Sequence, residues 1–313
     1  MPRKKKTIEE ESKEPENDNK IINLYKFMPA DLKPKYSNPN YEKHLINLPF
    51  RMLIVGASGS CKSVVACDLI RRMNNTFGNI KIITKAQEPL YDFLKRKIPA
   101  SHLQVTEGIT TTPDLNDFEE DDEMKDLQHL VIFDDLVLED KNLQKRLISP
   151  YFIRGRKIAK GINTVYITQS YYEVPSSIRK NLTHIILKKL SNNRDLLSIL
   201  REYNLGIPKE QLLQLYQEAT RDNESFLMID LNAPTEKRFR KNYLDVVDMT
   251  AETGMPIDIP TGGKLSKKKN IETYGRVLEH LVSHIKDPSE PIDNRDYSQA
   301  SSLINVIKEL KHK

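Results

Sequence analysis

The chain has 313 residues, enough for a sizeable core and for about two domains, or one large domain with appendages. Hydrophobic residues make up 38% and charged residues 30%, and the mean hydropathy of −0.57 predicts a soluble chain with solvated or disordered flanks. The 49 Lys and Arg against 44 Asp and Glu leave only +5, too little to announce a nucleic-acid binder, so what matters is where the charges sit.

In chain order, residues 1–20 balance six bases against six acids with no apolar periodicity and read as a disordered charged tail. No apolar segment follows those bases, as a secretion signal would need. No later stretch reaches the roughly 18 apolar residues of a bilayer helix, so no membrane partner is expected. Residues 21–44, with Pro29, Pro34 and Pro39, form a lead-in, and a folded body is expected over 45–235. Short apolar runs at 51–55, 80–84, 102–105, 129–133, 163–168 and 184–190 alternate with helix-length amphipathic stretches at 62–73, 89–97, 142–160, 194–203 and 208–221. That alternation predicts an α/β fold, a mainly parallel central sheet flanked by helices, with SFLMIDL (225–231) as the closing strand. Residues 236–270 read as a linker and 271–313 as a small helical C-terminal appendage. Residues 114–126 carry eight acids and one Lys, an exposed acidic insert, whereas 150–202 hold ten bases against three acids. Those bases either face a phosphate-rich partner or merely decorate helix surfaces. Cys61 and Cys67 are too few for a disulfide framework or a structural zinc site, which points to a reducing compartment.

The sharpest pattern is RMLIV-GASGSCKS-VVACDLI: an apolar strand, a glycine-containing turn, Lys then Ser, and an amphipathic helix. A phosphate-binding loop has this order because unpaired amide donors and the helix dipole both favour an anion there. Gly56, Ala57, Ser58, Gly59, Ser60, Cys61, Lys62 and Ser63 form the candidate nucleotide cradle. Lys62 is expected to reach the β- and γ-phosphates of ATP and Ser63 to ligate Mg²⁺. The pattern G-x-x-x-x-G-K-[ST] is broken at one place, where Cys61 stands for the second glycine. A side chain there either strains the backbone or crowds the phosphates, so weakened nucleotide affinity is expected. Cys61 is either an inert small residue or, at a helix N-terminus, an oxidisable thiol, and Cys67 is expected in the core.

A second apolar run, HLVIFDDL (129–136), ends in Asp134 and Asp135. Asp134 is the expected metal-associated carboxylate and Asp135 the expected general base. A third, NTVYITQS, ends in Gln169, which either senses the γ-phosphate or caps the following turn. In an additional-strand, RecA-like NTPase these three strands lie side by side. N-K-x-D, D-x-x-G and L-S-G-G-Q signatures are missing, and no lid or acceptor site of a small-molecule kinase is found.

GASGSCKS (56–63), LVIFDD (130–135) and IRGRKIAKGINTVYITQSYYEVPSSIRKN (153–181) together resemble the FtsK–HerA superfamily of DNA-pumping ATPases, in its viral genome-packaging branch of poxviruses, giant viruses and virophages. The resemblance covers roughly residues 45–235. It implies an ATP-hydrolysing ring of five or six subunits that moves double-stranded DNA, without sequence preference, into a preformed capsid through a capsid protein or portal-like vertex. It implies a setting in the host-cell cytoplasm at virus assembly sites or in the virion. By the same resemblance Lys62 and Ser63 go to phosphate and metal, Asp134 to Mg²⁺, Asp135 to the place usually filled by a catalytic Glu, and Gln169 to the sensor. Arg156, with Arg154 second, is the arginine offered to a neighbouring subunit. The alternative reading is a nucleotide- or nucleic-acid-binding scaffold whose impaired loop turns over little.

Overall fold

The computed structural model describes residues 23–29, 37–118, 127–204 and 206–247. The tail expected over 1–20, most of the acidic insert, and the helices expected over 271–313 lie outside the described residues.

Among the described residues nine strands form one sheet: β1 (Arg51–Val55), β2 (Phe77–Thr84), β3 (Leu103–Glu107), β4 (Gln128–Asp134), β5 (Ile162–Thr168), β6 (His184–Leu187), β7 (Leu227–Asp230), β8 (Phe239–Lys241) and β9 (Asp245–Val246). Their order is β3-β2-β4-β5-β1-β6-β7-β8-β9, parallel from β3 to β6 and antiparallel beyond. β4 and β5 are buried along their whole length, which is why both read as apolar runs without alternation.

Alternation along β1 divides the core. Met52 and Ile54 face α1 (Lys62–Arg72) and α2 (Pro89–Lys97), through Val65, Leu69, Tyr91 and Leu94. Leu53 and Val55 belong to the opposite face, with α4 (Ser149–Arg154), α6 (Asn193–Glu202) and α7 (Lys209–Ala219), through Phe152, Leu196, Ile199 and Leu215. Among the described residues no helix is long and apolar enough to cross a membrane.

Two expectations are corrected. The single helix expected over 142–160 is broken into α3 (Lys141–Leu143), a π turn (Gln144–Ile148), α4 and a 3₁₀ turn (Gly155–Lys157). Pro150 removes a helix donor and clashes with the preceding turn. Gln144 is fully buried, donating to the Val137 and Glu139 carbonyls (2.9 and 2.8 Å) and accepting from the Tyr166 hydroxyl (2.8 Å). The wider π turn accommodates both. A short helix, α5 (Ser176–Arg179), precedes β6.

The second correction concerns residues 236–270, where a linker was expected: β8 and β9 extend the sheet to Val246. Their anchor is a buried polar knot. Arg240 donates to the Asp230 carboxylate (3.1 Å) and to the Leu45 carbonyl (3.2 Å), and the His184 ring lies 3.4 Å from the same carboxylate. Burial alone raises the Asp230 carboxyl, but its hydrogen bond to His184 and the charges of His184 and Arg240 outweigh it, leaving it below its ordinary value. The knot ties the lead-in at Leu45 to the antiparallel edge.

Candidate nucleotide-binding site

Parallel strands present their carboxyl ends to one crevice, and β1, β5 and β4 are adjacent there. The loop after β1 makes a tight turn at Gly56, where an added Cβ would lie 2.5 Å from the Lys188 Cβ and 2.6 Å from the Ser60 Oγ. Gly59 takes φ +72°, which glycine adopts freely. Cys61 caps α1 at φ +62° and ψ +33°, a left-handed conformation that costs an L-residue about 1 kcal/mol. Backbone strain is therefore how the loop accommodates the cysteine.

The first bond of α1 runs from the Val65 N–H to the Cys61 carbonyl (3.1 Å), so the N–H groups of Cys61, Lys62, Ser63 and Val64 precede the helix ladder. Free N–H groups at a helix start are the kind of donors that suit an anion. The Lys62 amine folds back on the Ala57 carbonyl (2.8 Å). Burial pulls its pKa down, against the opposing pull of Asp134, Asp135 and Glu88.

Asp134 is 4% exposed, and burial pushes its carboxyl up to about 6. The Tyr91 hydroxyl donates to Asp134 Oδ2, which works the other way, while Glu88 and Asp135 raise it further and Lys62 lowers it. Burial and Asp134 raise the pKa of the Tyr91 hydroxyl, and Ser63 lies close enough to lower it. The phenol thus stands near both the Ser63 hydroxyl and the Asp134 carboxylate. Both are hard oxygen donors, and one carboxylate with one hydroxyl leaves the remaining positions of an octahedral Mg²⁺ to phosphate and water, as that ion prefers. The residues fit the ion.

Asp135 turns at φ +55°, and Gln169, one strand over at the end of β5, donates from Nε2 to Asp135 Oδ1 (3.3 Å). The loop beyond Gln169 is fastened to α6: the Tyr171 and Tyr172 N–H groups donate to the buried Asp195 carboxylate (3.1 and 3.2 Å). Lys62, Ser63, Asp134, Asp135 and Gln169 are therefore brought together.

Arg156 is not. It is exposed in the 3₁₀ turn before β5, near enough to Arg51 at the start of β1 to lower that guanidinium's pKa beyond the effect of burial. That is the opposite end of the sheet, about 20 Å from Gln169 along the seven residues of β5. Arg154, also exposed, ends α4 on the same side.

Several neighbours escaped the sequence reading. Tyr91 carries the i, i+3 apolar pattern of α2 with Leu94 and reads as core; only its hydroxyl, invisible to periodicity, reaches the site. Glu88 precedes Pro89 and reads as a helix start. Asn223 donates its amide to the Gly59 carbonyl and the Cys61 Sγ, both at 3.4 Å. Lys188 was counted with the basic face but is 1% exposed, its amine spent on the Asn223 and Ser225 carbonyls (2.7 and 2.9 Å). Arg179 pairs with Glu202 (3.0 Å). Fewer than ten free cations thus remain over 150–202. Cys67 packs against the α1 face of the core, and burial pushes its thiol up to about 12, which removes it from thiolate chemistry.

A parallel-centred sheet with a glycine turn, Lys-Ser and helix after β1, and with a carboxylate and a glutamine ending the two strands beside it, defines a P-loop NTPase. Residues 38–250 match the family described as Poxvirus A32 protein, and the chain belongs to that family. It is 25% identical over 270 residues to the DNA packaging protein OPG160 of Monkeypox virus, spanning 82% of this chain and 86% of that one. It is likewise 25% identical over 280 residues to the protein of the same name from Vaccinia virus (strain Copenhagen), spanning 84% and 96%. Among solved structures, the genome packaging NTPase B204 from Sulfolobus turreted icosahedral virus 2, in complex with sulfate, aligns with a TM-score of 0.44 at 15% identity, over 63% of this chain and 97% of the other.

Proposed function

We propose that this protein is an Mg²⁺-dependent ATPase that drives double-stranded DNA into a preformed viral capsid. The observation that carries the reading is the gathering of Lys62, Ser63, Asp134, Asp135 and Gln169 at the ends of three adjacent strands. Its direction toward DNA comes from the relatives named as DNA packaging proteins.

In this reading Ser63 and Asp134 would hold Mg²⁺, which would supply charge neutralisation to the triphosphate. Lys62 leaves the Ala57 carbonyl for the β- and γ-oxygens. Gln169 orients a water, whose proton passes to Asp135 as its oxygen bonds to the γ-phosphorus and the bond to the β-phosphate oxygen breaks, releasing ADP. Arg156 lies too far from its own chain's loop to take part, so in this reading it meets the γ-phosphate of a neighbouring copy, within the ring of five or six subunits that the resemblance to viral packaging ATPases implies. The capsid partner is a capsid protein or portal-like vertex, at virus assembly sites. The exposed Lys145, Arg146 and Lys157 offer DNA phosphates a sequence-blind, salt-sensitive contact.

ATP hydrolysis measured with and without double-stranded DNA tests the reading: stimulation by DNA, weakening as salt rises, is expected, and a rate indifferent to DNA would overturn the translocase. The strain at Cys61 favours a second reading, a scaffold that binds nucleotide and turns it over slowly. Cys61→Gly separates the two. That strain belongs to the loop with or without nucleotide, so relieving about 1 kcal/mol of it is expected to raise the melting temperature by about 2–4 °C and to leave nucleotide affinity nearly unchanged. A large rise in hydrolysis in this variant marks the cysteine as the brake, whereas unchanged slow turnover marks the scaffold.

A further inference from the structure

We propose that the cleft between α6 and α7 is the base-binding part of the nucleotide site and takes the adenine ring of the triphosphate bound at Gly56–Ser63. The inference rests on the nucleotide-binding reading and adds to it where the base lies and which base is taken.

Strand order fixes the direction in which the nucleotide runs. The groups suited to the terminal phosphate stand at the ends of β4 and β5, on one side of β1, while β6 and β7 lie on the other side. Strands are spaced about 4.8 Å apart, so the β4 carboxylate sits about 10 Å to one side of β1. A triphosphate with its γ end over β4 and β5 that runs along the loop carries its ribose and base over β6.

Continuous contacts lead from the loop into the cleft. The Ala57 N–H donates to the Lys189 carbonyl (2.8 Å), immediately after β6. The next residue, Leu190, donates its N–H to the Tyr216 hydroxyl on α7 (2.8 Å). From the other wall, Asn223 in the segment after α7 donates to the Gly59 carbonyl. Lys189, Leu190 and Tyr216 line the cleft, whose volume is about 560 Å³, within the range of small-molecule sites.

Its chemistry suits a purine. Leu196, Leu197 and Leu213 supply apolar walls, and the Asn193 and Gln217 amides stand among them. A side-chain amide can donate to and accept from adenine's N6/N7 edge at once. Arg221 adds a planar cation suited to stacking on the ring or to an α-phosphate. None of the residues lining the cleft is acidic, so no carboxylate is available to accept from the N1–H and N2 amine of guanine. Adenine is therefore favoured over guanine.

The test compares Mg²⁺-dependent binding of ATP, GTP and inorganic tripolyphosphate, by calorimetry, to the full chain and to Gln217→Leu and Asn193→Leu, both exposed positions whose replacement leaves the core untouched. The unaltered chain is expected to prefer ATP to GTP about tenfold, and each variant to lose most of that preference while binding tripolyphosphate as before. Photolabelling with 8-azido-ATP is expected to mark peptides within 189–197 and 213–221. Unchanged ATP affinity in both variants, or label confined to other peptides, overturns the base site while leaving the phosphate cradle standing. Equal loss of ATP and tripolyphosphate in the variants also overturns it, since the effect would not belong to the base. Failure of the unaltered chain to bind either ATP or tripolyphosphate would overturn the nucleotide reading itself.

Discussion

Lys62→Ala is expected to lower ATP hydrolysis by about 10²–10³-fold, the usual effect of deleting one charge-stabilising donor at a transition state, while changing the melting temperature little. Against the loosening effect of burial, the amine faces the carboxylates of Asp134, Asp135 and Glu88, each of which makes it hold its proton more tightly. A triphosphate would add about four negative charges to those three carboxylates, and Lys62 is the side-chain cation placed to offset them from within the loop. The structural cost of removing the amine is small, because its one hydrogen bond goes to a loop carbonyl at the surface of the site. Lys62→Arg keeps the charge but not the compact ammonium, and is expected to restore binding without restoring rate. Initial rates and nucleotide affinities of the three proteins check this. Hydrolysis undiminished in Lys62→Ala would dismiss the loop as the catalytic site.

The site was legible where its residues are close in sequence and obscure where the fold assembles it from afar. Gly56 to Ser63 are consecutive, and the apolar runs of β4 and β5 end in the polar residues that enter the crevice, so composition alone points to all five groups that meet there. Tyr91 and Asn223 approach the loop only because α2 and the segment after α7 pack beside it, and no local pattern distinguishes a tyrosine that packs from one whose hydroxyl reaches the Asp134 carboxylate. Lys188 misled for the same reason: in sequence it is one more base in a basic stretch, and only the close approach of Gly56 and two backbone carbonyls shows that it is buried. β8 left no readable signal, since three residues with two cations cannot show alternation. Arg240 becomes a strand residue through a partner, Asp230, at the end of the neighbouring strand. Arg156 is the instructive case, because its place at the far end of β5 removes it from its own chain's phosphate loop, which the order of residues along the sequence does not reveal.

Asp134→Asn is expected to make the metal-free protein more stable near neutral pH while removing its Mg²⁺-dependent hydrolysis. Burial raises the folded-state carboxyl from 3.8 to about 6. Between those values the unfolded chain releases the proton and the folded one keeps it, so this group's contribution falls as pH rises through the window. Above pH 6 the folded protein carries a buried carboxylate at a cost of about 2–3 kcal/mol. Asparagine preserves the acceptor for the Tyr91 hydroxyl and cannot ionise, so the variant avoids that cost. Its melting temperature should exceed that of the unaltered chain by several degrees at pH 7.5, and the gap should close toward pH 4, where both side chains are neutral. Mg²⁺ with a nonhydrolysable ATP analogue should reverse the order, because a cation that pairs with the carboxylate stabilises only the chain that has one. Thermal unfolding at the two pH values, with and without the analogue, reads all three. A variant less stable than the unaltered chain at pH 7.5 without ligand would show that Asp134 is held for packing, and that its charge is not kept in reserve for a metal.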